Sequence, residues 1–261
     1  MSTAVTAAPT VTAPPAALSP LRQLGLVVQW QMRRRTQELP LLILLQLLIP
    51  VAVVIGYGLL VGDAGPVAGL YLATGAPVIT LVTVGLVGTP QFVSQSRTEG
   101  SLDWMRTLPV PRTLFLLADL AVWTLVAMPG MVTGVIVGAW RFDVDLAPTW
   151  WVVPAALLVA LTAAAVGYAL ATMMSPPLAM LMSQVLVFVV LLFTPISFPA
   201  ERMPDWAQQM HTWLPLEPMA QAIRSGLASN DFDMPGRSWV VLAVWCAAAV
   251  LGARWALNRR H

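Results

Sequence analysis

Long stretches of this chain carry no charge at all. Leu39 to Gly62 and Pro66 to Val93 have no charged residue, and Arg112 to Trp140 holds only Asp119 beyond its first residue. Trp150 to Met174 and Pro177 to Phe198 are again uncharged, separated by the helix-breaking Ser175-Pro176-Pro177. A last apolar stretch runs from about Ser238 to Leu257. A hydrocarbon layer about 30 Å thick takes roughly 20 helical residues. In lipid the backbone must satisfy its own hydrogen bonds, which each helical span does internally. The chain therefore reads as an all-α membrane protein with six transmembrane helices over 39–261. Composition agrees: 10% of residues are charged, against about a quarter in soluble domains, too few to cover a globular surface.

The polar residues exclude several functions. The chain contains no lysine, so G-x-x-x-x-G-K-[ST] cannot occur and nucleotide phosphates have no P-loop here. If ATP drives this protein, another chain binds it. Cys246 is the only cysteine and reads as a small buried hydrophobe; His211 and His261 lack ligand-spaced companions, so no metal is assigned. There is no H-E-x-x-H and no G-x-S-x-G, and no paired acids or histidines lie inside the spans. No catalytic residue is assigned. The basic pI comes from arginines beside apolar segments, which read as orientation signals rather than a nucleic-acid surface. High arginine with no lysine also hints at a GC-rich bacterial genome.

Residues 1–18 are Ala, Pro, Thr, Ser and Val without periodicity, and are expected to be a disordered tail. Ser19-Pro20 offers a helix start. Over 19–38, Leu21, Leu24, Val28 and Met32 share one face, and Arg33-Arg34-Arg35 follow. This predicts an amphipathic helix at the membrane interface; an ordinary charged flank is the plainer alternative. Arg22, Arg33, Arg34, Arg35, Arg97, Arg106, Arg112, Arg254, Arg259 and Arg260 fall on one side, against Arg141, Arg202, Arg224 and Arg237 on the other. The positive-inside rule puts both termini in the cytoplasm of a multi-pass protein in a bacterial plasma membrane. Trp140, Trp150, Trp151, Trp239 and Trp255 sit at span ends, as interfacial tryptophans do.

Two segments outside the spans are patterned. Between the second and third spans, Leu102, Met105 and Leu108 recur every three residues and Trp104 pairs with Leu108, while Arg97, Glu99, Asp103 and Arg106 form a charged face. Pro109 and Pro111 end it. Such a short helix suits docking into a groove on a cytosolic partner, or it simply lies on lipid. On the outer side, Trp206, Met210 and Trp213 align, then Met219, Ile223 and Leu227 after Pro215. These read as short helices dipping into the outer leaflet. Asp119 lies about 10 Å along the helix from Arg112, so snorkelling or pairing with an arginine accounts for it as readily as a functional role. Gly130 and Gly134 read as a helix-packing pair.

Arg97-Thr98-Glu99-Gly100-Ser101-Leu102-Asp103-Trp104-Met105-Arg106-Thr107-Leu108-Pro109-Val110-Pro111-Arg112 resembles the cytoplasmic signature of ABC-2 type permeases. The basic first helix, six spans and patterned segment before the sixth span agree, and the nearest flavour is the daunorubicin-resistance-type exporters. Ser101 and Asp103 stand where threonine and glutamate are commoner. The resemblance implies an efflux permease, antibiotic resistance among its roles, with ATP and Mg bound by a separate ABC ATPase and no cofactor in this chain. It implies pairing with a second permease copy or paralogue, and a hydrophobic small-molecule or lipid-like cargo. Arg97, Glu99, Gly100, Leu102, Asp103, Trp104, Met105 and Arg106 would form the coupling helix that contacts the ATPase. Pro204, Trp206, Trp213, Pro215, Glu217 and Arg224 would belong to re-entrant helices at an outer gate. The rival classes are an ion-coupled secondary multidrug carrier, which predicts several intramembrane charges or repeated broken helices, and a membrane enzyme or scaffold.

Overall fold

The computed structural model describes residues 19–62, 65–101, 107 and 110–258; the expected disordered tail lies outside them. Helix α1 is Pro20–Arg34. Its start depends on Pro20 at the first helical position and on the Ser19 carbonyl, which accepts the Gln23 N–H at 3.0 Å; the Ser19 hydroxyl makes no capping bond. Six helices among the described residues are long and apolar enough to cross a membrane. They are α2 (Leu39–Val61), α3 (Pro66–Thr83) continued by α4 (Thr89–Thr98), α5 (Arg112–Phe142), α6 (Val152–Met173), α7 (Pro176–Phe193) and, last in the chain, α10 (Gly236–Asn258).

The second span is the axis of the bundle. α3 is buried along almost its whole length, whereas α2 and α7 lie at the periphery. Val78, Leu81 and Val82 of α3 pack with Leu116, Leu120 and Trp123 of α5 and Val159 and Tyr168 of α6. Exposed leucines of α2, among them Leu41, Leu44, Leu48, Leu59 and Leu60, point away from this core with Leu181, Phe188 and Leu192 of α7. In a bilayer those side chains meet acyl chains, which are as apolar as they are.

Between α3 and α4 the helix widens into a π-turn at Val84–Gly88. A π-turn accommodates one extra residue without ending the helix. Here it presses backbone against backbone: a Cβ on Gly85 would run into Ala163 and Ala164 of α6, and one on Gly167 would run into the Gly85 carbonyl. Gly130, Gly134 and Gly138, at intervals of four on α5, repeat the device. Their absent side chains leave room for Thr80, Pro77 and Ala73 of α3 and for Gln46 and Pro50 of α2. The G-x-x-x-G spacing thus serves packing within the chain.

Two boundaries differ from the sequence reading. α7 stops at Phe193, where Thr194 turns extended because Pro195 disfavours helix at the residue before it. The second span continues through Thr98, 33 residues in all. At 1.5 Å per residue that is about 50 Å, longer than the roughly 40–45 Å of a bilayer with its headgroups.

At the end of the bundle opposite α1, a 3-10 turn (Ala200–Arg202) leads into α8 (Asp205–His211) and α9 (Leu216–Leu227). Trp206 and Met210 of α8 are exposed, as is Trp213 just beyond its end. Met219, Ala220, Ile223 and Leu227 of α9 are buried against the spans, so protein covers its apolar face. The Thr149 N–H donates to the Gly226 carbonyl at 2.8 Å and the Ser229 hydroxyl to the Ala147 carbonyl at 3.0 Å, fastening α9 to the α5–α6 loop.

Candidate functional site at the arginine-rich end

Arg33, Arg34 and Arg35 close α1, and they part company there. Arg35 turns inward and is 4% exposed. Its guanidinium lies 3.1 Å from the Phe92 ring centroid, 5.4 Å from that of Trp123 and 3.7 Å from Asp119 Oδ1. Phe92 belongs to α4, while Asp119 and Trp123 are one turn apart on α5. One side chain thus joins α1 to the second and third spans. Burial pulls the Arg35 guanidinium down to about 10, with Asp119 and Glu38 opposing the shift. Aromatic faces compensate a desolvated cation in part, and the carboxylate supplies the counter-charge. Asp119, read from sequence as the one intramembrane charge, is itself 5% exposed.

The end of α4 is tied in the opposite direction. Arg97 Nη1 donates to the Ala171 and Met174 carbonyls, both at 2.6 Å. Those are orphan acceptors at the C-terminus of α6, which basic side chains commonly satisfy. Sequence reading put Arg97 on a partner-facing surface; its guanidinium instead faces into the chain. Glu99 stays at the surface, accepting from Gln95 Nε2 at 2.8 Å and lying 3.8 Å from Arg34. An exposed pair of that kind contributes little to stability. Gly100 then takes φ +71°, a left-handed conformation that ends the helix and is open to glycine without strain. Ser101 Oγ donates to the Ser96 carbonyl at 3.1 Å. Leu102, Asp103, Trp104, Met105 and Arg106 lie outside the described residues, as do Leu108 and Pro109. The described part is therefore a polar collar of α1, α4, α5 and the end of α6 around the root of the 99–111 segment.

The residues expected at an outer gate gather at the other end. Arg224 of α9 is 5% exposed. It donates to the Ile196 carbonyl at 2.6 Å and to Thr74 Oγ1 at 3.4 Å, and sits over the rings of Tyr71 (4.2 Å) and Phe232 (5.4 Å). Burial lowers it to about 10. Glu217 accepts from Gln221 Nε2 at 2.9 Å through one oxygen, and burial pushes its carboxyl above the ordinary range. Both residues line a cavity of about 160 Å³ with Tyr71, Glu201, Phe232 and Asp233. Pro204 and Pro215 precede the first residues of α8 and α9. Trp206 and Trp213 remain on the exposed side, Trp213 beneath Arg237 with 4.7 Å to its ring. No group of His, Cys, Asp or Glu among the described residues could hold a metal ion.

Sequence reasoning missed Arg35, Phe92 and Trp123. A signal existed: an acid inside a span demands a cation, and Gln31–Arg35 and Asp119–Trp123 repeat the same four-residue spacing. What the sequence withholds is which of three consecutive arginines turns inward. The family model described as ABC-2 type transporter matches residues 22–228, most of the chain. No curated protein matches it.

Proposed function

This chain belongs to the ABC-2 type transporter family, and we propose that it is the export permease of a pump whose motor is a separate ABC ATPase. Membership makes it the membrane component of an ABC transporter, and its apolar helices make it multi-pass. The direction, cargo and partners are our reading. The lysine-free sequence supports a division of labour, because nucleotide phosphates would find no P-loop here. The observation that carries the proposal is the collar. Arg97 fastens the end of α4 to the end of α6, and Arg35 joins α1 to α4 and α5, so a push on the 99–111 segment reaches four helices.

In this reading the arginine-rich end and both termini face the cytoplasm of a bacterial cell. Two copies, or this chain and a paralogue, enclose a path for a hydrophobic or amphipathic cargo. ATPase closure presses on Glu99, Gly100, Leu102, Asp103, Trp104, Met105 and Arg106, and the α8–α9 end opens. Arg97 serves as the internal tie. A secondary carrier fares worse, because Asp119 is already paired with Arg35 and no other acid lies within a span among the described residues.

The test is the double substitution Glu99→Ala with Asp103→Ala in cells that also express the ATPase. Membrane insertion should be unchanged, and ATP-dependent export should fall to the level of an ATPase-dead control. Export at the wild-type rate would overturn the coupling role. Export that follows the proton gradient and ignores ATP would overturn the permease assignment's ATP-driven direction.

A further inference from the structure

α8 is short and lightly held. It follows extended Met203 and Pro204 and precedes Pro215, which has no N–H to carry a helix onward. Among the described residues it shares no extended contact with another helix. The side-chain bonds around it stay local: Gln208 Nε2 donates to the Met203 carbonyl at 2.8 Å, and Thr212 Oγ1 to the Gln209 carbonyl at 2.6 Å.

One narrow face seats it. Ala207 and His211, four residues apart, are buried, while Asp205, Trp206, Gln209 and Met210 are exposed. His211 is 3% exposed and meets the Phe193 carbonyl at the end of α7. Just beyond it, the Trp213 carbonyl accepts from Trp245 Nε1 of α10 at 2.8 Å, and the Trp213 ring lies under Arg237. Trp213 is thus a tether on one side of His211, with the body of α8 on the other.

Such a seat accepts the neutral imidazole and resists the charged one. His211 Nδ1 is enclosed with no hydrogen-bond partner among the described residues. A proton placed there would make a desolvated cation with no acceptor for its new N–H. The surrounding charges are engaged elsewhere or face solvent. α7 and the 194–199 link carry none. Glu201, Arg202 and Asp205 are exposed. Glu217 of α9 accepts from Gln221 and interacts with Arg237 and Arg224, and Arg224 donates to the Ile196 carbonyl. Burial accordingly holds the His211 imidazole below its ordinary range.

We infer that α8 is a pH-operated lid at this end of the bundle, seated while His211 is neutral and released from the end of α7 when the ring takes up a proton. The inference rests on how α8 is seated. It requires neither the ATPase nor the export direction proposed above, so either can fail without the other.

A released ring titrates near 6.5, as a free histidine does, so lowering the pH from 7.5 to 5.0 favours release by up to about thirtyfold. A helix as short as α8 does not persist alone in water, and its amides lose protection on release. The test is hydrogen–deuterium exchange of the full chain in mild detergent at pH 7.5, 6.5 and 5.0, corrected for the intrinsic pH dependence of exchange. Amides of residues 207–214 should lose protection several-fold to about thirtyfold, mostly below pH 6.5, while those of α9 keep theirs. His211→Gln should hold α8 at one level of protection across the range, and Glu217→Gln should keep the wild-type response. Constant protection of α8 in the wild type would overturn the inference. So would a loss shared equally by α9, one that survives His211→Gln, or one abolished by Glu217→Gln. If His211→Gln melts early, the wild type and Glu217→Gln decide by themselves.

Discussion

Arg35 and Asp119 show how much a single pair can determine. Removing one partner of a buried ion pair leaves the other uncompensated, at a cost of about 3–5 kcal/mol. Arg35→Met should therefore lower the melting temperature of the detergent-solubilised protein by that equivalent. Arg35→Met with Asp119→Leu should recover most of the loss, because an apolar pair leaves no stranded charge; equal losses in the two variants would contradict the pairing. His211 gives a pH signature at the opposite end. Burial holds its imidazole below the ordinary 6.5, so between the folded and unfolded values the unfolded chain binds more protons. Stability rises with pH across that window and is lost as pH falls below about 6.5. Thermal melts from pH 7.5 to 5 should show the decline, and His211→Gln should remove part of the slope. At this scale the sequence was only half legible. That Asp119 needed a cation could be read from its apolar setting; that Arg97 turns inward could not, because the carbonyls it meets lie more than seventy positions away.

Helices were the most legible level, since uncharged runs of bilayer length leave the backbone few choices. The limits of α7 and of the second span were misjudged for local reasons, a proline at 195 and a polar extension beyond the apolar run. The π-turn was not legible at all: it shows no break in composition, only glycines at 85 and 88. Gly85→Ala and Gly167→Ala should each overpack the contact with α6, costing about 1–3 kcal/mol and lowering the yield of folded protein in detergent. Gly56→Ala meets nothing within 4 Å and should be neutral or slightly stabilising by helix propensity. Similar melting of all three variants would mean the close approach carries no weight. α9 was legible as an amphipathic helix but not as a buried one, because a helix with one apolar face reads the same whether lipid or protein covers it.

For the molecule as a whole, arginine placement predicts sidedness. Arg33, Arg34, Arg35, Arg97 and Arg112 share one end of the bundle, and Arg141, Arg224 and Arg237 the other. With Cys246 replaced by Ala, a cysteine at Ser101 should react with a membrane-impermeant maleimide only in inside-out vesicles. One at Asn230 should react only in intact cells. Reversed labelling would invert the topology. The widened turn at Val84–Gly88 bears on this two-ended design. A regular helix advances about 100° per residue, and the wider turn absorbs its surplus residue, so the two halves of the second span keep nearly the phase of a helix one residue shorter. Deleting a single position from 84–88 would regularise the helix locally. It would leave α4 almost in phase with α3, whereas the same deletion made within α4, beyond the turn, would carry Arg97 off its carbonyls while every outer contact stayed in place.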